Sequence, residues 1–385
     1  MEGTGSGWEM PEELRMLHDT VRRFMEDKVR PAEQGIDPDA NDLPPERLAP
    51  LQEEAKKLGL WCVESPAEYG GAGLDLLAQS IVAEEASKCR MGLYFPAAGA
   101  FGIDPPNIIF SGNEDQIARY GIPGIERGTR AFVAISEASG GSDPARAIRT
   151  KAVRKGDRYI VNGSKMWITA AAEGEWGVVF ARTGEDRGGI TAFIVDRDTP
   201  GMTTKRIPVI RSYAPYEVHF DNVEIPIENR LGEEGEGFAI AGEWLVHSRV
   251  PYAAGCVGVA QQALDMAIDY AKERETFRSR LADKQAIQWM IADSEVELRA
   301  ARLLVWQAAW NGDAGRDIKL DASICKLYAT ETAGRVVDRC MQIFGGLGVA
   351  QEMPLERWYR ELRIKRIGEG PSEVHRMLIS RELLR

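Results

Sequence analysis

The chain has 385 residues, 44% of them hydrophobic and 28% charged, with a formal net charge of −11. That length can bury a large core and predicts two or three domains, and the ordinary globular composition argues against a fibrous or disordered chain. The acidic balance without a long basic block argues against a phosphate-backbone partner such as DNA, while a local basic pocket for one phosphorylated ligand stays open.

From Glu9 to about Arg130 the pattern is helical. "PEELRMLHDTVRRFMEDKV" sets Leu14, Leu17, Val21, Phe24 and Met25 on one stripe. "LAPLQEEAKKLGL" and "LDLLAQSIVAEEAS" follow, separated by "EYGGAGL". That glycine-rich piece is not GxGxxG and has no clear strand before it, so it reads as a helix–helix connection. From Ala131 to about Leu231 the texture changes to short β-like runs, among them "AFVAISE", "WGVVFART", "ITAFIVD" and "YEVHFDNVEI". In "RYIVNGSKMWIT" the pair Asn162-Gly163 sits between two apolar-rich runs, which predicts a two-residue hairpin turn. Strands without long helices between them predict an antiparallel barrel or sandwich. From Gly237 long helices return. One places Val257, Ala260, Leu264, Ala267, Ile268 and Ala271 on a single face, and another stops at Gly345-Gly346. The expected order is therefore helical (1–130), β (131–232) and helical again (233–385).

Several chemistries lack their signatures. The four histidines, His18, His219, His247 and His375, show no ligand spacing, and HExxH is absent, so no metal site is expected. GxSxG, P-loop and Rossmann fingerprints are missing too. The five cysteines include no CxxC pair, and Cys256, Cys325 and Cys340 fall in helix-like runs that suit buried packing. "MEGTGSGWEM" has no basic region followed by an apolar run, and no uncharged stretch is long enough to span a bilayer. The expectation is a cytoplasmic protein with no membrane or nucleic-acid partner.

Other residues invite chemistry. The loop in "AISEASGGSD" follows a strand and exposes backbone N–H groups that could cradle a phosphate or polar heterocycle, although an ordinary turn has the same composition. Trp167 could stack on a flat ring or fill a barrel core. Arg274 and Thr276 in "ERETF" could bind a ligand or simply end a helix. Two glutamates are flanked by glycines. Glu236 has acidic neighbours and reads as a solvated loop. Glu369, in "IGEGPSEVHRM", follows Arg363, Lys365 and Arg366 and stands just ahead of a proline-led helix. Its glycine neighbours permit close backbone approach, which makes it a candidate base.

Taken in order, "AISEASGGSD", "NGSKMWIT", "ERETF…KQAIQ", "MQIFGGLG" and "IGEGPSEVHRMLISREL" resemble the acyl-CoA dehydrogenase family over nearly the whole chain. The resemblance implies an α+β multidomain fold: an N-terminal helical domain, a central antiparallel β-barrel and a C-terminal four-helix bundle. It implies non-covalent FAD, and α,β-dehydrogenation of an acyl-CoA thioester with Glu369 as the base that takes the α-proton. Matching positions for flavin contact are Ser136, Ser142, Trp167 and Thr169, then Arg274, Thr276, Phe277 and Gln285, and then Gln342 with Gly345 and Gly346. In the family the last two groups reach a neighbouring subunit's flavin, so a homotetramer is implied. Ser142, Arg249, Gly370 and Arg381 match positions that contact the thioester ligand. Electron-transfer flavoprotein is the implied electron acceptor.

The chain departs from the family pattern in places. It reads Glu369-Gly370-Pro371-Ser372-Glu373 where many members read Glu-Gly-Thr-x-Gln, and Ala138 replaces a usual proline. Some relatives take the base from an earlier helix, where this chain has Ser248. Gly368 stands where straight-chain members often carry tyrosine. With Trp244 and "YFPAAGAF" narrowing the far end, it implies a short-to-medium branched, cyclic or aromatic acyl group. An acyl-CoA oxidase, and a non-catalytic flavin- or acyl-CoA-binding scaffold, stay open as other readings.

Overall fold

A computed structural model of the chain describes residues 10–185 and 188–385. The longer helices, in chain order, are α1 (Glu12–Phe24), α2 (Pro45–Lys57), α3 (Leu76–Ala86) and α4 (Gly237–Glu273). They continue with α5 (Gln285–Asp313), α6 (Lys319–Phe344), α7 (Leu355–Lys365) and α8 (Ser372–Leu383). The middle of the chain carries β1 (Phe132–Ala134), β2 (Lys151–Lys155), β3 (Arg158–Ile168), β4 (Trp176–Arg182) and β5 (Ile190–Asp196). After them come β6 (Met202–Arg206), β7 (Tyr216–Pro226) and β8 (Arg230–Leu231). A short hairpin, β9 (Glu275–Thr276) and β10 (Ser279–Arg280), joins α4 to α5. The expected order of helical, β and helical segments stands.

The chain forms two compact units. The helical unit takes residues up to Leu51, Asp75–Ala100 and Arg249–Lys365. In it α1 packs on α3, α3 on α5, α5 on α6 and α6 on α7. The α6 face shows the cause: Ala322, Cys325, Ala329, Ala333, Val336, Val337 and Cys340 are all buried at helical spacing. Small residues let backbones approach, and a Cβ on Gly258 would stand 1.9 Å from the Glu84 carbonyl oxygen. The first turn of α3 is closed by carboxylates from two directions. Asp75 accepts from the Ala78 N–H at 2.8 Å, and Asp313 accepts from those of Leu76 and Leu77 at 2.7 and 2.9 Å.

The second unit takes Gln52–Leu74, Phe101–Ser248 and Arg366–Arg385. Its strands pair in the order β6-β7-β3-β2-β4-β5-β8, mainly antiparallel, while β1 adds to β4 in parallel. Strands β4 and β5 are buried on both faces, which is why they read as unbroken apolar runs rather than alternating ones. Val179, Ala181, Phe193 and Val195 pack with Tyr159, Val218 and Phe220 on one side. Val178, Phe180, Ile190 and Ile194 pack with Ile108, Ile109 and Tyr120 on the other.

The hairpin expected at Asn162-Gly163 is not there. β3 runs straight through both residues, and the turn falls earlier, between β2 and β3. Asn162-Gly163 instead marks a register shift against β7. Gly163 has φ +145°, and a Cβ there would lie 2.6 Å from Thr150 Oγ1. Across the pair, Asn222 sits at φ +51° and its N–H donates to Asn162 Oδ1 at 2.8 Å. The same left-handed preference that builds tight turns builds this bulge.

Candidate active site

Glu369 lies on the loop joining α7 to α8, inside the second unit. The loop is drawn closed by the Ser372 N–H donating to the Arg366 carbonyl at 3.2 Å. Glu369 has φ +54° and Gly370 φ +97°. For a residue with a side chain the left-handed region costs roughly 1–2 kcal/mol, and such strain clusters where geometry serves function. Pro371 caps α8 with φ −67° and ψ 160°, so Glu369 is held beside a helix N-terminus. Its Oε2 accepts a hydrogen bond from Ser248 Oγ at 3.1 Å. Ser248 stands on the early turns of α4, at the position that matches the other base placement.

Two carboxyls missed by the sequence reading stand in line with Glu369: Glu64 feels its charge, and Asp104 acts on Glu64. Asp104 Oδ1 accepts from Ser65 Oγ at 2.6 Å and from the Glu64 N–H at 3.1 Å. Burial, then the charges of Asp104 and Glu369, push the Glu64 carboxyl up to about 8. Burial likewise raises Asp104 to about 6, against the hydrogen bonds it accepts. No motif or spacing ties these residues to Glu369; only the fold brings their fields together. The folded chain therefore keeps a proton on Glu64 that the unfolded chain releases above its ordinary value of 4.5. Stability contributed this way is full at acid pH and declines as pH rises from 4.5 to about 8. Glu64→Gln should raise the melting temperature at pH 8 and leave it nearly unchanged at pH 4.5. Thermal melts at both values check this, and an equal shift at the two would contradict it.

The middle-segment residues expected at a flavin also lie in the second unit. The Ser136 carbonyl accepts the Met166 N–H at 2.9 Å, which fixes the "ISEASGGSD" loop beside the end of β3. Below it is a buried ion pair. Lys165 is fully buried and donates to Glu137 Oε1 at 2.8 Å and to the Ile135 carbonyl at 3.0 Å. Glu137 also accepts the N–H groups of Arg149 and Thr150 at 2.7 and 3.0 Å. Desolvation pulls Lys165 down to about 8 even with its partner, while Lys165 holds Glu137 below the usual range against burial.

Past Lys165 the register of β3 slips again, and Trp167 emerges at φ +68° with 54% of its surface exposed. A bulge that turns a large indole outward fits a flat partner better than a barrel-core role. Thr169 Oγ1 accepts from Arg211 Nη2 at 3.1 Å. A guanidinium can only donate, so the Thr169 hydroxyl proton stays available to another acceptor. Arg211 was not anticipated. Ser142 is exposed on its loop, Gly370 is half-buried beside Glu369, and Arg381 is exposed on α8.

The remaining expected contacts lie in the helical unit, where Arg249, the residue after Ser248 on α4, is 8% exposed. Arg274 ends α4 and leads into β9. The turn between β9 and β10 consists of Phe277 at φ +51° and Arg278 at φ +64°, a place where Asn-Gly is usual. Phe277 is 97% exposed. Thr276 pairs with Ser279 across the hairpin, and Gln285 opens α5 on the exposed side. Gln342 is exposed near the end of α6, where Gly345 turns the chain at φ +62°. Each set is displayed outward from this unit.

The groups present suit an isoalloxazine and its polar edge: an exposed indole, an oriented threonine hydroxyl and a pinned loop of small residues. Among the described residues no cluster of His, Cys, Asp and Glu could hold a metal ion, and no helix is long and apolar enough to cross a membrane.

Three sequence models match in order: the acyl-CoA dehydrogenase N-terminal domain (residues 11–128), middle domain (132–223) and C-terminal domain (235–384). The mitochondrial short-chain specific acyl-CoA dehydrogenase of Rattus norvegicus is 38% identical, covering 98% of this chain and 91% of its own. Butyryl-CoA dehydrogenase from Megasphaera elsdenii superposes with a TM-score of 0.86 at 31% identity, over 98% of this chain and 100% of that one. A chain from a structure titled for the electron transferring flavoprotein of Acidaminococcus fermentans gives a TM-score of 0.87 at 35% identity, covering 98% and 99%. Matches that run end to end, over a loop that presents a glutamate in strained backbone, make this chain a member of the acyl-CoA dehydrogenase family and an oxidoreductase.

Proposed function

We propose that Glu369 removes the α-proton of an acyl-CoA thioester while the β-hydrogen leaves as hydride, giving the trans-2-enoyl-CoA. The observation that supports this most is the presentation of Glu369. Its left-handed backbone stands between Gly368 and Gly370, and one carboxylate oxygen is already hydrogen-bonded. A thioester α-carbon is a weak acid, so the base must be near and the developing enolate oxygen needs donors. The loop offers the Glu369 N–H without side-chain cover from its neighbours. The cofactor is FAD, which supplies the hydride acceptor when bound. Trp167, Thr169, Ser136 and Ser142 would hold it from the middle segment. Arg249, Gly370 and Arg381, with Ser142, would hold the thioester.

The acyl group we propose is short to medium and branched, cyclic or aromatic, because Gly368 leaves space beside the base. Titrating the FAD-loaded protein anaerobically with a panel of thioesters tests both points. Bleaching of the flavin band by branched or aromatic thioesters is expected. Equal bleaching by straight chains of every length, with none by branched ones, would refute the substrate assignment. Failure of every thioester would refute the reaction. Electron-transfer flavoprotein is the proposed acceptor and a cytoplasmic setting the proposed location, the latter resting on five buried cysteines that form no disulfide. The proposed domains are 1–130, 131–232 and 233–385.

A homotetramer is the proposed assembly. On α5, Trp289, Val296, Leu303 and Trp310 are 62%, 68%, 52% and 53% exposed. They recur every seven residues, so the stripe winds slowly round the helix, as a seam against another helix does. The outward display of Phe277, Gln342 and Gly345 agrees with contacts to a neighbouring copy. Sedimentation velocity on the purified protein checks this, with a monomer at micromolar concentration as the contrary result.

A further inference from the structure

We propose that Ser248 is a positioning residue, which holds the Glu369 carboxylate by Oε2 in the orientation that receives the α-proton. This rests on the reading of Glu369 as the base. The hydroxyl has one proton and two acceptors in reach: Glu369 Oε2 at 3.1 Å and the Leu245 carbonyl at 3.4 Å. A serine inside a helix ordinarily returns its proton to a carbonyl one turn back. Here the shorter contact crosses to another segment, and an ionised oxygen is the stronger acceptor.

The need for such a contact follows from the loop. The left-handed torsions of Glu369 and Gly370 fix the backbone of the base. The Ser248 contact bears on its side-chain torsions. Ser248 acts from the early turns of a 37-residue helix, a far stiffer support than the loop. It also adds no charge where Glu64 already bears on the base. Once the carboxyl is protonated it becomes a poorer acceptor, and the Leu245 carbonyl can take the hydroxyl proton. The serine thus follows the charge without leaving its donor unmet.

The test uses FAD-loaded Ser248→Ala and Ser248→Thr proteins in anaerobic stopped flow, with a thioester that bleaches the parent. The alanine variant should keep its flavin content and thioester affinity while its limiting bleaching rate falls roughly 10- to 100-fold. Threonine, which retains the hydroxyl, should restore most of the rate. A parent-like rate in Ser248→Ala overturns the proposal. So does a slow threonine variant with normal flavin and thioester binding. Running Glu369→Gln beside them separates the two readings. Normal bleaching there removes the base itself, whereas a silent Glu369→Gln with an unaffected Ser248→Ala removes only the serine.

Discussion

Glu369→Gln should retain FAD and bind thioester, yet bleach roughly 10⁴-fold more slowly than the parent. Glutamine is close to isosteric and its amide oxygen can still accept the Ser248 hydroxyl, so the loop has no reason to collapse. What disappears is the carboxyl proposed to accept the α-proton. The expected result is a normal resting flavin spectrum and a nearly flat anaerobic trace after mixing with thioester. A trace indistinguishable from the parent would remove Glu369 from its role. The substitution also deletes a negative charge that bears on Glu64. The Glu64 proton should then be released at lower pH, so fold stability near neutrality should not suffer.

The second large effect is expected at a distance from the chemistry. Lys165→Met should destabilise the protein by about 3–5 kcal/mol, because it leaves the Glu137 carboxylate buried with its ionic partner gone. Lys165 is fully buried and Glu137 is 7% exposed, so water cannot replace the lost contact. Glu137 still accepts the N–H groups of Arg149 and Thr150, which limits the damage. Adding Glu137→Gln should recover much of the loss, since a neutral amide oxygen can keep an N–H partner. Urea unfolding of the three proteins measures both changes. A single variant as stable as the parent would show that the pair contributes little. The ion pair also ties the loop proposed to hold the flavin to β3, so FAD content should fall with stability in Lys165→Met.

The sequence disclosed much of this fold because most elements are locally consistent. The α6 stripe and the apolar runs of β4 and β5 announce themselves through spacing alone. Asn162-Gly163 misled because a turn and a bulge ask the same of the backbone, and only the register against β7 tells them apart. Glu369 was legible from its two glycines. Its surroundings were not: Glu64, Asp104 and Ser248 stand at separations no periodicity encodes. Ser248 was noted only as an alternative place for a base, and its hydrogen bond needs the fold to be seen. Glu137 and Lys165 both lie in quoted motifs, yet their pairing depends on a strand slip that composition does not reveal.

The exposed stripe on α5 has a practical consequence. Of the nine tryptophans in the chain, Trp61, Trp176 and Trp358 are buried, whereas Trp289 and Trp310 face solvent within the stripe. Indole emission moves to shorter wavelength when water is excluded. For the proposed assembly the protein therefore carries its own optical gauge, and a red shift on dilution would time the parting of copies without any label.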